Sequence, residues 1–158
     1  MQDYIPQKHM ANISHLLSAG KAVIVYGARR TGKTTLVRHF LETYDGAARY
    51  VTGDDVVVRE YLSSGSVERL REFVGSSGLL VIDEAQYISD IGLNLKLIVD
   101  HMPHVSLLVT GSSSFGLANT LGEPLTGRQY TLRMFPLSQL ELCGVEAADQ
   151  TAARLESR

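Results

Sequence analysis

Gly27-Ala28-Arg29-Arg30-Thr31-Gly32-Lys33-Thr34 sets two glycines, a lysine and a hydroxyl residue at the spacing G-x-x-x-x-G-K-[ST]. Those residue types suit one task, replacing the water around a phosphate tail. Such a tail is polyanionic and heavily hydrated, so a protein must meet it with donors that already point inward. Gly27 and Gly32 admit backbone conformations that a Cβ obstructs and let phosphate oxygens approach N–H groups. Lys33 would reach the β- and γ-phosphates, and the Thr34 hydroxyl would face Mg²⁺. The nucleotide-binding set is therefore Gly27, Ala28, Arg29, Arg30, Thr31, Gly32, Lys33, Thr34 and Thr35. Arg29 and Arg30 would touch phosphate or form a surface contact with another chain.

A second group lies fifty residues beyond Lys33, where the apolar run Leu79-Leu80-Val81-Ile82 ends in Asp83-Glu84. An acid at that point can hold Mg²⁺, directly or through water. Side chains alternate along an extended chain, so Glu84 points elsewhere and could polarise an attacking water as a general base. Alone, the pair would read equally well as surface acids at a strand end. Thr110, closing the run before Gly111-Ser112-Ser113-Ser114, could bond a γ-phosphate or the water, with Ser112 as its neighbour. A turn capping the next helix is the alternative. Arg128 could stabilise charge on a transferred phosphoryl group, in its own chain or in a neighbouring subunit, or be an ordinary solvated strand arginine. The candidate catalytic residues are thus Lys33, Glu84, Thr110 and Arg128, and the candidate metal ligands Thr34 and Asp83. His101 and His104 flank Pro103 with no cysteine near, which argues against a zinc site.

These residues need elements to hold them. Ala22-Val23-Ile24-Val25-Tyr26 reads as a buried central strand, and residues 33–43 as a helix pairing Leu36 with Phe40 and Val37 with Leu41. Ile13, Leu16 and Leu17 suggest a short helix before Gly20. Strands are expected over 47–52, 79–82, 105–109 and 127–134. Val56-Val57-Val58 has strand propensity, but the pairs Val57/Tyr61 and Val58/Leu62 favour a helix over 56–62. Ser66 can cap a helix bearing Val67, Leu70 and Val74. A helix over 93–102 stops at Pro103. Short helices are expected over 114–121 and from the capping box Ser138-Gln139-Leu140-Glu141, and residues 146–158 are expected to fray. Strands alternating with helices imply a parallel α/β sheet covered on both faces, with ligands at the C-terminal strand ends.

Composition narrows the class. The 158 residues suit one domain, with 44% hydrophobic and 20% charged residues. A net charge of −2 gives no general attraction to nucleic acid or to acidic membranes. The single Cys143 cannot form an intramolecular disulfide. No apolar run approaches a membrane span, and the first twenty residues do not form a signal peptide, so a cytoplasmic location is expected.

With these blocks in place, the chain resembles the prokaryotic AAA_14-type P-loop ATPase domain, usually fused to a C-terminal DUF4143 domain. The resemblance covers residues 5–142. It rests on Gly27 to Leu36, on Leu80-Val81-Ile82-Asp83-Glu84-Ala85-Gln86, on Leu108-Val109-Thr110-Gly111-Ser112-Ser113-Ser114, and on Leu125-Thr126-Gly127-Arg128 followed by Phe135-Pro136-Leu137-Ser138. It implies a three-layer P-loop NTPase sandwich whose parallel five-stranded sheet has the order 5-1-4-3-2. It also implies Thr110 as a sensor-like residue between the loop and Asp83. Thr31 stands where the family usually has a small residue such as Val. Residues 1–142 are expected to form the ATPase domain, and 143–158 a tail opening a missing second domain.

The expected function is Mg²⁺-dependent binding and hydrolysis of ATP as a conformational switch. No Asn-Lys-x-Asp element for guanine is present. Two alternatives stay open. Asp83-Glu84-Ala85-Gln86 resembles helicase motifs, in which the glutamine belongs to the coupling machinery, so a nucleic-acid-dependent motor fragment is one, although no basic stripe with interleaved aromatics supports it. A P-loop kinase is the other. The expected partners are ATP and an unidentified protein or the missing domain, with no membrane. The oligomeric state is left open.

Overall fold

The computed structural model describes residues 9–112 and 125–136. The elements run α1 (His9–Leu16), β1 (Ala22–Gly27), α2 (Lys33–Glu42), β2 (Ala48–Thr52), α3 (Val56–Leu62), α4 (Val67–Val74), β3 (Leu79–Asp83), a 3₁₀ turn (Ala85–Tyr87), α5 (Ile91–His101), β4 (Ser106–Ser112) and β5 (Gln129–Met134). The helices expected over 114–121 and from Ser138, and the tail over 146–158, lie outside the described residues.

The five strands form one parallel sheet in the order β2-β3-β4-β1-β5. This is the expected order read from the other edge. The central strands β3 and β4 are buried at every residue, and β1 at all but Tyr26. Apolar runs of this kind suit strands covered on both faces. Alternation along them sorts the core into two layers. Val23, Val25, Val81 and Leu108 pack with Ile13 of α1 and with Leu36, Val37 and Phe40 of α2. Ile24, Leu80, Ile82, Leu107 and Val109 pack with Leu62, Leu70, Phe73, Leu95 and Ile98 of α3, α4 and α5. The edge strands β2 and β5 are largely open on their side chains, with Val51 and Met134 as their buried residues.

Helix placement follows from direction of travel. The chain leaves β1 for the far edge through α2, then returns through β3 to β4 by α3, α4 and α5 on the other face. Right-handed crossovers require opposite faces for opposite directions. The residues at 56–58 become helix because Asp55 accepts the Val57 N–H at 2.8 Å and starts the first turn. Val58 and Leu62 then face the core, while Val56 and Val57 stay 58% and 56% exposed. Two elements differ from expectation. α1 ends at Leu16, and Gly20 (φ 73°) instead turns the chain into β1. β5 starts at Gln129, because Gly127 (φ 78°) and the Arg128 N–H to Leu125 carbonyl bond of 2.9 Å form a turn before it.

At the end of β1 the backbone of β5 comes so close that a Cβ on Gly27 would sit 2.4 Å from the Met134 carbonyl oxygen. Gly27→Ala is therefore expected to lower the free energy of unfolding by about 1–3 kcal/mol, read from urea denaturation. An unchanged midpoint would show slack between β1 and β5.

Candidate functional site: the phosphate loop and the Asp83 cluster

The loop runs from the end of β1 into the start of α2. Arg30 (φ 64°) and Gly32 (φ 84°) both adopt the left-handed conformation, which folds the backbone back on itself. The first intrahelical bond of α2 runs from the Leu36 N–H to the Gly32 carbonyl at 2.9 Å. The N–H groups of Lys33, Thr34 and Thr35 therefore precede the helical ladder, the kind of helix start that suits an anion. Thr31 donates its hydroxyl to the Ala28 carbonyl at 2.9 Å, bracing the loop from inside. Lys33 is 5% exposed and folds across the loop, with Nζ 2.9 Å from the Gly27 and 2.7 Å from the Ala28 carbonyl oxygen. Burial pushes its ammonium below the usual lysine value, and the Glu84 and Asp83 carboxylates oppose that shift.

Asp83 ends β3 and is 2% exposed. Its Oδ2 accepts the Thr34 hydroxyl at 2.7 Å and the Tyr50 phenol at 2.8 Å. Its Oδ1 accepts the Thr110 hydroxyl and the Glu84 N–H, the latter at 3.2 Å. Thr110 is fully buried, and its oxygen also accepts the Glu84 N–H at 3.2 Å. The pairing of β3 with β4 places Thr110 where the family resemblance implies, beside Asp83, and its hydroxyl is aimed at that carboxylate. Glu84 leaves the strand in the left-handed conformation (φ 54°, ψ 42°). Its direction is thus set by that turn and not by strand alternation, which corrects the reason given for it from the sequence. The Gln86 side-chain amide donates to Glu84 Oε2 and accepts the Ser112 N–H at 3.0 Å.

Beside the loop lies a cavity of about 450 Å³. Its lining includes Thr34, Asp83 and Glu84, together with Tyr50 and Thr52 of β2 and Asp54 just beyond it. Arg29 reaches over it to the Tyr87 hydroxyl at 3.2 Å. Arg30 is exposed on the loop.

Arg128 is not brought to this cluster. It precedes β5, its carbonyl accepts the Ala22 N–H at 2.9 Å, and its guanidinium pairs with Asp100 at the end of α5. Ala22 begins β1 and Gly27 ends it, so the strand length, about 16 Å at five residue steps, separates Arg128 from the loop. Contact with phosphate within its own chain is corrected on that ground.

Tyr50 is the residue that sequence reasoning passed over. Tyr50 became visible only through the placement of β2 beside β3. Gln86 carries a coupling role only on the helicase-like alternative; its contacts with Glu84 and Ser112 are not visible from the motif. Tyr50 is pushed above the ordinary tyrosine value by burial, then by its hydrogen bond to Asp83 and that carboxylate's charge, while Arg38 opposes.

The donor set fits a hard divalent cation. Thr34 and Asp83 present a hydroxyl and a carboxylate oxygen to one another, and Mg²⁺ takes such oxygens together with phosphate oxygens and water. Among the described residues no group of three or more His, Cys, Asp or Glu side chains could hold a metal ion by itself. The remaining ligands would have to come from substrate and solvent.

A glycine loop between the first strand and its helix, facing an acid on a nearby parallel strand, defines a P-loop nucleotide-binding α/β domain. The model of the AAA_14 family, described as an AAA domain, matches residues 19–143, and the chain belongs to that family. It is also similar to two mycobacterial proteins, the uncharacterized protein Mb2031c of Mycobacterium bovis and the uncharacterized protein Rv2008c of Mycobacterium tuberculosis. Each is 30% identical over 148 residues, which cover 89% of this chain and 30% of the relative. The chain thus spans about a third of the length of these relatives. Among the described residues no helix is long and apolar enough to cross a membrane.

The Tyr50 contact is open to measurement. Tyr50→Phe is expected to cost about 1.5 kcal/mol of stability at neutral pH, as for a hydrogen bond to a charged group. Its raised value means that the contribution is present below pH 10 and is lost as pH rises through the folded-state value. The gap between wild type and variant in denaturation experiments should close above pH 10. A gap constant to pH 11 would detach the effect from the phenol.

Proposed function

We propose that the chain binds ATP with Mg²⁺ and hydrolyses it, and that turnover serves as a conformational switch. The observation carrying this reading is the convergence on Asp83 of Thr34 from the phosphate loop and Thr110 from β4, with Glu84 adjacent. The loop and the start of α2 would bind the phosphates through backbone N–H groups. Lys33 would exchange the neutral carbonyls of Gly27 and Ala28 for phosphate oxygens, which are stronger acceptors for an ammonium. Thr34 and Asp83 would hold Mg²⁺, which when bound neutralises phosphate charge. Glu84 would take a proton from water as the water oxygen bonds to the γ-phosphorus. The bond from that phosphorus to the bridging oxygen breaks, and ADP and phosphate leave.

Adenine over guanine is supported by the absence of an Asn-Lys-x-Asp element. Water as acceptor is supported by an acid pair at one strand end, with Glu84 lining the cavity beside Thr34 and Asp83. What the switch drives we assign to a protein partner or to the portion of the relatives' length that this chain does not share.

Two variants test separate parts. Lys33→Ala should abolish MgATP binding in titration calorimetry, and unchanged affinity would remove the loop assignment. Glu84→Gln should keep binding while lowering the hydrolysis rate by about 10²–10⁴-fold, the usual contribution of a positioned base. Equal turnover in variant and wild type would take Glu84 out of the base role.

A further inference from the structure

We infer that Gln86 is a positioning residue that sets the Glu84 carboxylate and ties it to the end of β4; the inference rests on the hydrolytic reading above. Strand pairing supplies the reason for its place. β4 pairs with β1 through Ser112, but β3 pairs with β4 only through Val109. Three residues, Thr110, Gly111 and Ser112, therefore extend past the last β3 pair. On that side β3 has already turned away, because Glu84 is left-handed. The Gln86 side chain fills the gap. Its Oε1 accepts the Ser112 N–H at 3.0 Å, as a strand carbonyl would, while its Nε2 donates to Glu84 Oε2.

The orientation of the amide follows from its partners. A carboxylate only accepts and a backbone N–H only donates, so the nitrogen must face Glu84 and the oxygen Ser112. The amide supplies the donor and the acceptor that these two partners need. A glutamate would place a second negative charge against Glu84. A leucine would remove the Ser112 acceptor and the Glu84 donor together. Gln86 engages one carboxylate oxygen and leaves Oε1 as the oxygen for water. The same strand end positions the other acid, through Thr110 on Asp83. Both acids of the site thus depend on where β4 ends, and a shift there would move the base relative to the loop.

The test compares the chain with Gln86→Leu, Gln86→Glu, Glu84→Gln and the double variant Glu84→Gln/Gln86→Leu. MgATP affinity is measured by calorimetry and hydrolysis by steady-state and single-turnover assays. Gln86→Leu and Gln86→Glu should each lower kcat tenfold or more while MgATP affinity stays within about twofold. In the Glu84→Gln background, Gln86→Leu should bring no further loss, since a residue that acts through Glu84 has nothing left to position. Wild-type turnover in both Gln86 variants overturns the inference and leaves the proposed function standing. So does an equal fall from Gln86→Leu in both backgrounds, which is the mark of a merely structural role. If Gln86→Leu fails to bind MgATP, Gln86→Glu decides, because it keeps size and an acceptor for the Ser112 N–H. Absence of turnover in the wild type overturns the hydrolytic reading itself, and the inference with it.

Discussion

A carboxylate at 2% exposure is the constraint around which this domain is arranged. Taking such a group out of water costs several kcal/mol unless donors replace the lost solvent. No lysine or arginine forms a direct ion pair with Asp83 among the described contacts. The compensation comes instead from four hydrogen bonds that begin in four places: Thr34 at the start of α2, Tyr50 on β2, Thr110 on β4 and the Glu84 N–H just beyond β3. Charge-assisted bonds of this kind are stronger than neutral ones. A satisfied network in a low-dielectric interior also fixes geometry more tightly than apolar packing does.

That requirement accounts for the strand order. β3 has to lie between β2 and β4 for Tyr50 and Thr110 to reach opposite oxygens of one carboxylate. β1 has to lie on the other side of β4 so that the loop after it can bring Thr34 across. The close approaches support the same centre. A Cβ on Gly53 would meet the Glu84 carbonyl oxygen at 2.4 Å, so the end of β2 can pass the left-handed turn only as glycine. The left-handed Glu84 is itself a costly conformation for a residue with a side chain, of the order of 1 kcal/mol. The bonds from its N–H and its carboxylate hold it there.

Features that depend on local chemistry were legible in the sequence. The phosphate loop, the fully apolar strands and Asp83 at a strand end all follow from residue type and spacing. The helix over 56–62 followed from i, i+4 pairs, and its Asp55 cap explains why the valines did not form a strand. Features that depend on which strands are neighbours were harder. Tyr50 lies on a half-open strand and has no mark of function until β2 is known to pair with β3. Glu84 was given a direction from strand alternation, which fails where the backbone turns left-handed. Arg128 could have been placed from the sequence by a stricter argument. A residue just before a strand of a parallel sheet sits at the opposite end of the strands from loops that follow them. The motif Thr126-Gly127-Arg128 therefore belongs to the end of the sheet where Asp100 lies.

The side chains of Thr31, Lys33 and Thr34 are paired within the domain. Lys33 bonds the Gly27 and Ala28 carbonyls of its own loop, Thr31 bonds the Ala28 carbonyl as well, and Thr34 bonds Asp83. On the proposed reading, ligand entry would be for these side chains an exchange of partners. Such an exchange would favour ligands of high charge. Neutral carbonyls hold Lys33 while burial disfavours its ammonium, so an anion that replaces them offsets that cost as well as forming its own bonds. On the proposed reading, a triphosphate with its cation would supply both the oxygen and the positive charge that could replace the Thr34–Asp83 bond. The internal pairing of the loop would then give way to a polyphosphate accompanied by its metal.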